Sequence, residues 1–134
     1  MTTLKSESVA LRDPRDVVSL RQKVRAWTTE LKFSLVDQTK MITASSELGR
    51  NAVGHGGGGS CLMEVVSNGT RTGLKLTFED QGPGIPDLDL ALKDGYSTSG
   101  GMGLGLSGSK RLVNEFQIAS KLGEGTRVTV VRWK

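Results

Sequence analysis

Cysteine and histidine are almost absent from the sequence, since Cys61 and His55 are the only residues of their types. A single cysteine excludes an internal disulfide, and one cysteine with one histidine cannot build a tetrahedral zinc site. No run approaches the roughly 18 consecutive apolar residues of a membrane-spanning helix. The first residues (MTTLKSESVALRDP) lack the hydrophobic core of a secretory signal. We therefore predict a cytoplasmic protein with no membrane partner.

Neither sign of charge is in large excess, and the net charge of +4 comes from scattered Lys and Arg residues. So mild a balance favours an acidic partner or a phosphate ligand only slightly, and we predict no nucleic-acid partner. The length of 134 residues suits one domain with an ordinary core. We predict a single domain over residues 1–134.

Glycine, by contrast, is abundant. Of the 18 glycines, 14 lie within residues 54–59, 82–84, 100–108 and 123–125, which is not the distribution of a flexible linker. Clusters at fixed places predict a close approach of the backbone to another group. The last cluster alone is typical of an ordinary turn.

Local patterns predict two helices in the first half of the chain. After a weak strand pattern at Ser8 to Leu11, Asp13 is a suitable N-cap and Pro14 a suitable first helical residue. Apolar residues then recur with helical spacing at Val17, Leu20, Val24, Trp27 and Leu31. A second helix begins near Asp37, and the glycines from Gly54 onward end it.

The second half of the chain is richer in strands. Residues 60–67 and 72–79 flank an Asn68-Gly69 pair, which is the strongest short-range signal for a hairpin. A third helix is predicted from about Gly103 to Phe116, and two strands close the chain. Helices on one face of such a sheet are the economical packing. We therefore predict an α+β two-layer sandwich, with a mixed, mostly antiparallel sheet and three helices on one face.

Two polar residues of the second helix form the first candidate constellation. Glu47 and Asn51 are one helical turn apart, so their side chains project from the same face. A carboxylate beside an amide oxygen is a reasonable pair for proton transfer and for magnesium, which prefers hard oxygen ligands and phosphates. Taken alone, this spacing is more typical of a solvated polar face.

A second constellation follows the strand over residues 72–79. Asp80 ends a run of apolar alternation, and Gly82 and Gly84 then turn the chain before Ile85. The Asp80 carboxylate could accept a hydrogen bond from an exocyclic amine such as that of adenine, and the glycines would let a flat base approach the backbone. The alternative is a simple Asp-Gly-Pro turn.

The third constellation is the glycine-rich segment 101–106 (GMGLGL) before a helix. Unpaired backbone N–H groups at a helix start form an anion cradle. The spacing is neither that of a P-loop nor that of a dinucleotide fingerprint. Alone it is weak evidence for phosphate binding. Further along, Gly125-Thr126 opens the last strand, where a hydroxyl could reach the base.

The order of these motifs carries more weight than any one of them. Glu-x-x-x-Asn on a helix, Asp-x-Gly-x-Gly after a strand, Gly-x-Gly-x-Gly before a helix and Gly-Thr on the last strand follow each other from Glu47 to Thr126, and the resemblance that they carry covers about residues 8–133. This order resembles the GHKL ATPase superfamily of gyrases, Hsp-ninety proteins and histidine kinases. The resemblance implies a Bergerat-type ATP-binding fold, with ATP and Mg²⁺ as cofactors.

The resemblance also implies roles for individual residues. Glu47 matches the general base of the family and Asn51 its magnesium-binding asparagine. Asp80 matches the aspartate that recognises adenine, and Thr126 the threonine that supports the base. The box beside the base is matched by Gly82, Gly84 and Ile85.

The remaining roles concern the phosphates and the segment before them. The phosphate-binding segment is matched by Gly101, Met102, Gly103, Leu104 and Gly105. Residues 86–100 match the lid over the nucleotide. The sequence leaves two roles open for His55, a hydrogen bond near the phosphates or a cap on the helix.

Residues 50–59 (RNAVGHGGGG) and 94–112 (DGYSTSGGMGLGLSGSKRL) are followed by a short final strand. With these features, the free-standing domain resembles the bacterial anti-sigma-factor and stressosome switch-protein serine/threonine kinases. This branch implies phosphorylation of a STAS-domain switch or scaffold protein. A downstream phosphatase or sigma-factor regulator is a further partner that it implies. Two alternatives remain. One is an anti-sigma factor that sequesters its partner with ATP as a conformational ligand. The other is a detached histidine-kinase catalytic domain, against which stands the lack of a dimerising helical hairpin before residue 8.

Overall fold

The fold is one five-stranded sheet with helices packed on one face, seen in a computed structural model that describes residues 1–85, 87–93 and 105–134. The strands lie in the order β1-β2-β3-β5-β4, and each of the four pairings is antiparallel. Their bounds are Thr2–Leu11 (β1), Gly59–Ser67 (β2), Thr72–Asp80 (β3), Glu115–Lys121 (β4) and Gly125–Trp133 (β5).

The predicted α+β class is confirmed, with one correction to the sheet, which is antiparallel throughout the described strands rather than mixed. The reason is the position of β5. A short turn returns the chain from β4 into β5, which lies between β3 and β4 and runs antiparallel to both. β3 and β4 therefore run in the same direction without being neighbours.

The two long helices begin at the side-chain caps that the local sequence supplies. α1 spans Pro14–Glu30, and the side chain of Asp13 accepts a hydrogen bond from the backbone N–H of Arg15, as predicted for an N-cap. α2 spans Leu35–Arg50, two residues earlier than expected, because Ser34 caps it by accepting from the N–H of Asp37. No helix in the described ranges is both long enough and apolar enough to cross a bilayer.

Three shorter helical segments follow α2 in the part of the chain that the structure describes. The residues Asn51–His55 form a π-helical turn, and α3 (Leu88–Ala91) and α4 (Leu106–Arg111) lie beyond β3. α4 is shorter than the helix predicted there, and Phe116 belongs to β4 instead. β1 is longer than predicted, because its first half pairs with β2 although most of its side chains there are polar.

The core lies between the sheet and the helices α1 and α2. Its fully buried side chains include Leu11, Leu20, Val24, Met41, Met63, Leu74, Leu76 and Val130. Cys61 on β2 is buried in the same layer, and this burial raises the pKa of its thiol. The helices are thus fixed on one face, and the end of α2 is held over the ends of β3 and β5.

A partly buried ion pair ties the start of α2 to β5. Arg132 donates a hydrogen bond of 2.6 Å to the Asp37 carboxylate and another of 3.0 Å to the carbonyl of Leu112. The side chains of Arg132 and Asp37 are 15% and 27% exposed. The hydrogen bond from Arg132 holds the pKa of Asp37 below its usual value.

We expect Asp37→Asn to lower the free energy of unfolding at pH 7 by about 1–3 kcal/mol, since it leaves a partly buried guanidinium without its charged partner. The pKa of Asp37 is depressed in the folded state, so its contribution is present above about pH 4 and is lost as the pH falls through the folded-state value. Urea denaturation at pH 7 and at pH 3 measures this. The control is Glu30→Gln, which breaks the exposed pair with Lys5 and should change little. An equal effect of both substitutions at pH 7 would contradict the assignment.

Candidate functional site

One cavity lies between the end of α2 and the helix-covered face of the sheet. Its polar lining consists of Asn51, His55, Asp80 and Thr126, and apolar side chains, among them that of Ile85, complete the wall. The cavity therefore brings together four residues that were singled out from three separate sequence motifs: Asn51, Asp80, Ile85 and Thr126.

Asp80 is the last residue of β3, and its side chain points toward the helices. The residue is 8% exposed, and Thr126 is its cross-strand partner on β5, so both side chains reach the cavity from neighbouring strands. The Oδ1 atom accepts a hydrogen bond of 2.9 Å from the backbone N–H of Gly82, which orients the carboxylate. A buried carboxylate of this kind is a strong acceptor for a donor group on a ligand.

The glycines after α2 allow the chain to pack directly against this carboxylate. A Cβ at Gly56 would overlap the side chain of Asp80, and a Cβ at Gly82 would lie 2.6 Å from the Cα of Gly56. Gly57 and Gly58 then take positive φ angles of +73° and +116°, which glycine adopts without strain, and lead the chain into β2. The glycine run thus forms one side of the candidate site and also turns the chain away from it.

The helix that carries Glu47 widens before it ends. α2 stops at Arg50, whereas the sequence predicted a continuous helix up to Gly54. The backbone N–H of Gly56 donates to the carbonyl of Asn51 at 2.9 Å, which is the i to i+5 bond of a π-helical turn. Such turns are rare and often lie at functional sites. Here the turn places both Asn51 and His55 on the cavity wall.

Glu47 lies one helical turn before Asn51 and faces the start of α4. Its Oε1 atom accepts a hydrogen bond from Arg50. A Cβ at Gly105 would lie 2.7 Å from its Oε2 atom, and Gly105 has a φ of +60°, so only glycine fits this position well. The second carboxylate oxygen therefore faces the backbone where the glycine-rich segment enters α4.

Most of the predicted phosphate-binding segment and lid falls outside the part of the chain that the structure describes. This applies to Gly101, Met102, Gly103 and Leu104, and to Pro86 and residues 94–100 of the predicted lid. Gly105 is the member of the segment that the structure describes. It lies against the Glu47 carboxylate.

His55 makes a contact that was not among the two roles left open by the sequence. Its Nε2 atom lies 3.1 Å from the backbone carbonyl oxygen of Gly84. A carbonyl oxygen only accepts, so Nε2 carries the proton in this contact. The contact joins the π-helical turn to the box that follows β3. No local pattern could have indicated it, because the two residues are far apart in the sequence.

Ser120 on β4 is a further residue of the site that sequence reasoning missed. Its Oγ atom accepts a hydrogen bond of 2.8 Å from the backbone N–H of Ile85. The Gly84 carbonyl and the Ile85 N–H belong to one peptide group, so His55 and Ser120 hold that group at both polar ends. The Ile85 side chain is thereby fixed in the cavity wall.

Comparison with known proteins shows which family the chain resembles. Residues 36–134 match the sequence profile of the family described as histidine kinase-, DNA gyrase B- and HSP90-like ATPase. The serine/threonine-protein kinase RsbT of Bacillus subtilis is 48% identical over 118 residues, which cover 88% of this chain and 89% of the relative. The anti-sigma F factor of Anoxybacillus flavithermus is 29% identical over 84% of this chain and 80% of the relative.

A solved structure supports the fold. The RsbU and RsbW domains of a Mycobacterium tuberculosis protein match with a TM-score of 0.65 and 20% identity, over 96% of this chain and 32% of that one. At this identity the match concerns the fold alone, and the chain spans about a third of the matched protein. The kinase of B. subtilis confirms the predicted enzyme class, a protein serine/threonine kinase. The chain belongs to the family of histidine kinase-, DNA gyrase B- and HSP90-like ATPases.

Proposed function

We propose that the protein is an ATP- and Mg²⁺-dependent serine/threonine kinase that phosphorylates a STAS-domain switch or scaffold protein in a bacterial stress or sigma-factor pathway. One observation carries the proposal. Asp80 and Thr126, which are cross-strand partners, share a cavity with Asn51 at the end of the helix that carries Glu47. Groups suited to the base and to the phosphates of a nucleotide therefore meet in one place.

In this proposal adenine binds at the Asp80 end of the cavity, whose walls must move apart to admit the ring because the cavity volume is about 20 Å³. The carboxylate accepts a hydrogen bond from the exocyclic amine, and the apolar wall contacts the faces of the ring. The close packing of Gly56 and Gly82 leaves no side chain between the backbone and the base. The hydrogen bond from the Gly82 N–H already orients the Asp80 side chain, so nucleotide binding costs little conformational entropy at this residue.

Glu47 acts as the general base. Its carboxylate accepts the proton of the substrate Ser or Thr hydroxyl while that oxygen forms a bond to the γ-phosphorus. The bond from the γ-phosphorus to the bridging oxygen breaks, and ADP leaves. The position of Glu47 against Gly105 supports this role, because the carboxylate then lies where the glycine-rich segment ends.

The donor set fits magnesium rather than a metal held by protein ligands alone. Among the described residues there is no group of three or more His, Cys, Asp or Glu that could hold a metal ion. Asn51 lines the cavity and its side chain carries an amide oxygen. Magnesium commonly takes one or two protein ligands with phosphates and waters. When bound, the ion neutralises charge on the phosphates, and Asn51 would hold it.

The most direct test is incubation with ATP, Mg²⁺ and candidate STAS-domain proteins, followed by intact-mass measurement. We expect the partner to gain the mass of one phosphoryl group, and to gain none when Mg²⁺ is omitted. A partner with its acceptor Ser or Thr replaced by Ala is the control. If every STAS-domain candidate keeps its mass while a different class of protein is phosphorylated, the proposed substrate class is wrong.

His55 gives a further prediction about nucleotide binding. We expect His55→Ala to weaken ATP binding by about fivefold, because the Gly84 carbonyl loses its hydrogen bond and the box is less firmly held. His55→Gln is the matched control, since its amide nitrogen can donate from nearly the position of Nε2. Isothermal titration measures both. Equal losses in the two variants would show that the ring itself, rather than its hydrogen bond, is needed.

A second candidate function is an anti-sigma factor that sequesters its partner, with ATP as a conformational ligand. The relatives named anti-sigma F factor, 29% identical to this chain, favour it. It predicts a stable complex with a sigma factor in the presence of ATP. Gel filtration of the protein with a sigma factor, in parallel with the mass measurement, separates the two functions.

A further inference from the structure

The hydroxyl of Ser120 makes three polar contacts and has only one proton. It accepts from the N–H of Ile85 at 2.8 Å, and it lies 3.0 Å from the carbonyl oxygen of Gly125 and 2.9 Å from the Oγ1 of Thr126. A serine hydroxyl can donate once and accept twice. All three contacts can therefore be hydrogen bonds in one arrangement only.

That arrangement fixes the proton of Thr126. The Gly125 carbonyl oxygen can only accept, so it must receive the Ser120 proton. The Thr126 hydroxyl must then donate to Ser120. The proton of Thr126 therefore points toward Ser120 and not into the cavity. If Ser120 donated to Thr126 instead, its hydrogen bond to the Gly125 carbonyl would be lost. That alternative therefore makes one hydrogen bond fewer than the arrangement above. The lone pairs of Thr126 are left for the cavity that this residue lines.

We infer that Ser120 is a positioning residue that makes Thr126 an acceptor and thereby sets the selectivity of the cavity for a 6-aminopurine. The inference rests on the proposed function and deepens it. An exocyclic amine carries two N–H donors, and the carboxylate of Asp80 lies beside Thr126 on the neighbouring strand. The two residues give the amine one acceptor for each proton, directly or through a water. Ser120 is not among the residues that line the cavity, so it acts through Thr126.

The experiment compares ATP with purine riboside triphosphate, which has a hydrogen in place of the 6-amino group. The dissociation constant of purine riboside triphosphate divided by that of ATP measures what the 6-amino group contributes to binding. We expect Ser120→Ala to reduce this ratio by about fivefold, because the Thr126 proton is released and competes with the amine. A role in folding alone would weaken both nucleotides equally and leave the ratio unchanged.

A double-mutant cycle with Thr126→Val shows through which residue Ser120 acts. In the Thr126→Val background, Ser120→Ala should leave the ratio as it is, since there is no hydroxyl to orient. Ser120→Cys retains the side-chain shape with a much weaker hydrogen-bonding group, and it should lower the ratio in the same direction. This second variant serves if Ser120→Ala does not fold.

The outcomes separate the inference from the proposed function. If the wild-type protein binds neither nucleotide, the proposed function fails and the inference fails with it. If ATP binds well and both Ser120 variants keep the wild-type ratio, only the inference is overturned. A change in ratio that is as large in the Thr126→Val background as in the wild-type background also overturns it.

Discussion

Replacing Glu47 with Gln is expected to slow phosphotransfer to the partner protein by about 100-fold or more, while ATP affinity stays close to that of the wild type. The reason is that an amide cannot accept the proton of the substrate hydroxyl, whereas its size and shape nearly match those of the carboxylate. Single-turnover transfer of labelled phosphate, together with titration of ATP, measures the two effects separately.

The control for this prediction uses the ion pair of Glu47 with Arg50. Glu47→Gln weakens that pair as well as removing the base, so the two effects must be separated. Arg50→Gln breaks the pair and leaves the carboxylate in place, and because the arginine side chain is well exposed we expect nearly full activity. If Arg50→Gln lost as much activity as Glu47→Gln, the ion pair would account for the loss of activity in both variants. Full activity of Glu47→Gln would rule out Glu47 as the base.

Asp80→Asn is expected to weaken ATP binding by about 1–3 kcal/mol, a loss of roughly 5- to 150-fold. The amide oxygen of Asn can still accept from the Gly82 N–H. The amide nitrogen takes the place of the other carboxylate oxygen, so a donor then faces the amine of adenine, which is itself a donor. Wild-type protein should discriminate against GTP by a similar factor, since guanine carries a carbonyl where adenine carries its amine. Isothermal titration with both nucleotides gives these values.

The neighbouring acidic residue provides the matched control. Glu79 precedes Asp80 on β3, but it is exposed on the opposite face of the sheet, where it pairs with Arg127. Glu79→Gln should leave ATP binding unchanged. Equal affinity of the wild type for ATP and GTP, or equal losses in the two variants, would contradict the assignment of Asp80.

The parts of the fold that follow from short-range signals were predicted well. The cap of α1 depends on Asp13 and the N–H of Arg15, so the residues that decide it are close together in the sequence. The hairpin between β2 and β3 likewise depends on Asn68, whose side chain accepts hydrogen bonds from the N–H groups of Thr70 and Arg71. The first half of β1 was missed because it forms by pairing with β2, far along the chain, and not through an apolar pattern of its own.

The same distinction between short-range and long-range signals applies to the residues of the candidate site. Asp80, Thr126 and Asn51 were found because each belongs to a short motif, and the structure brings all three to one cavity. Ser120 has no motif around it, and its contacts depend on the register of β4 with β5 and on the path of the chain at Ile85. The contact of His55 with Gly84 depends on the π-helical turn, which a regular helical period does not predict.

The burial of Cys61 makes the protein convenient for single-site labelling. The thiolate is the form that attacks alkylating reagents, and a buried thiol with a raised pKa supplies very little of it at neutral pH. Thr70 is exposed in the turn at the far end of the β2–β3 hairpin, roughly 25 Å along the strands from Asp80. A cysteine placed there would carry a fluorophore as the sole label, without removal of the native cysteine and well away from the nucleotide cavity.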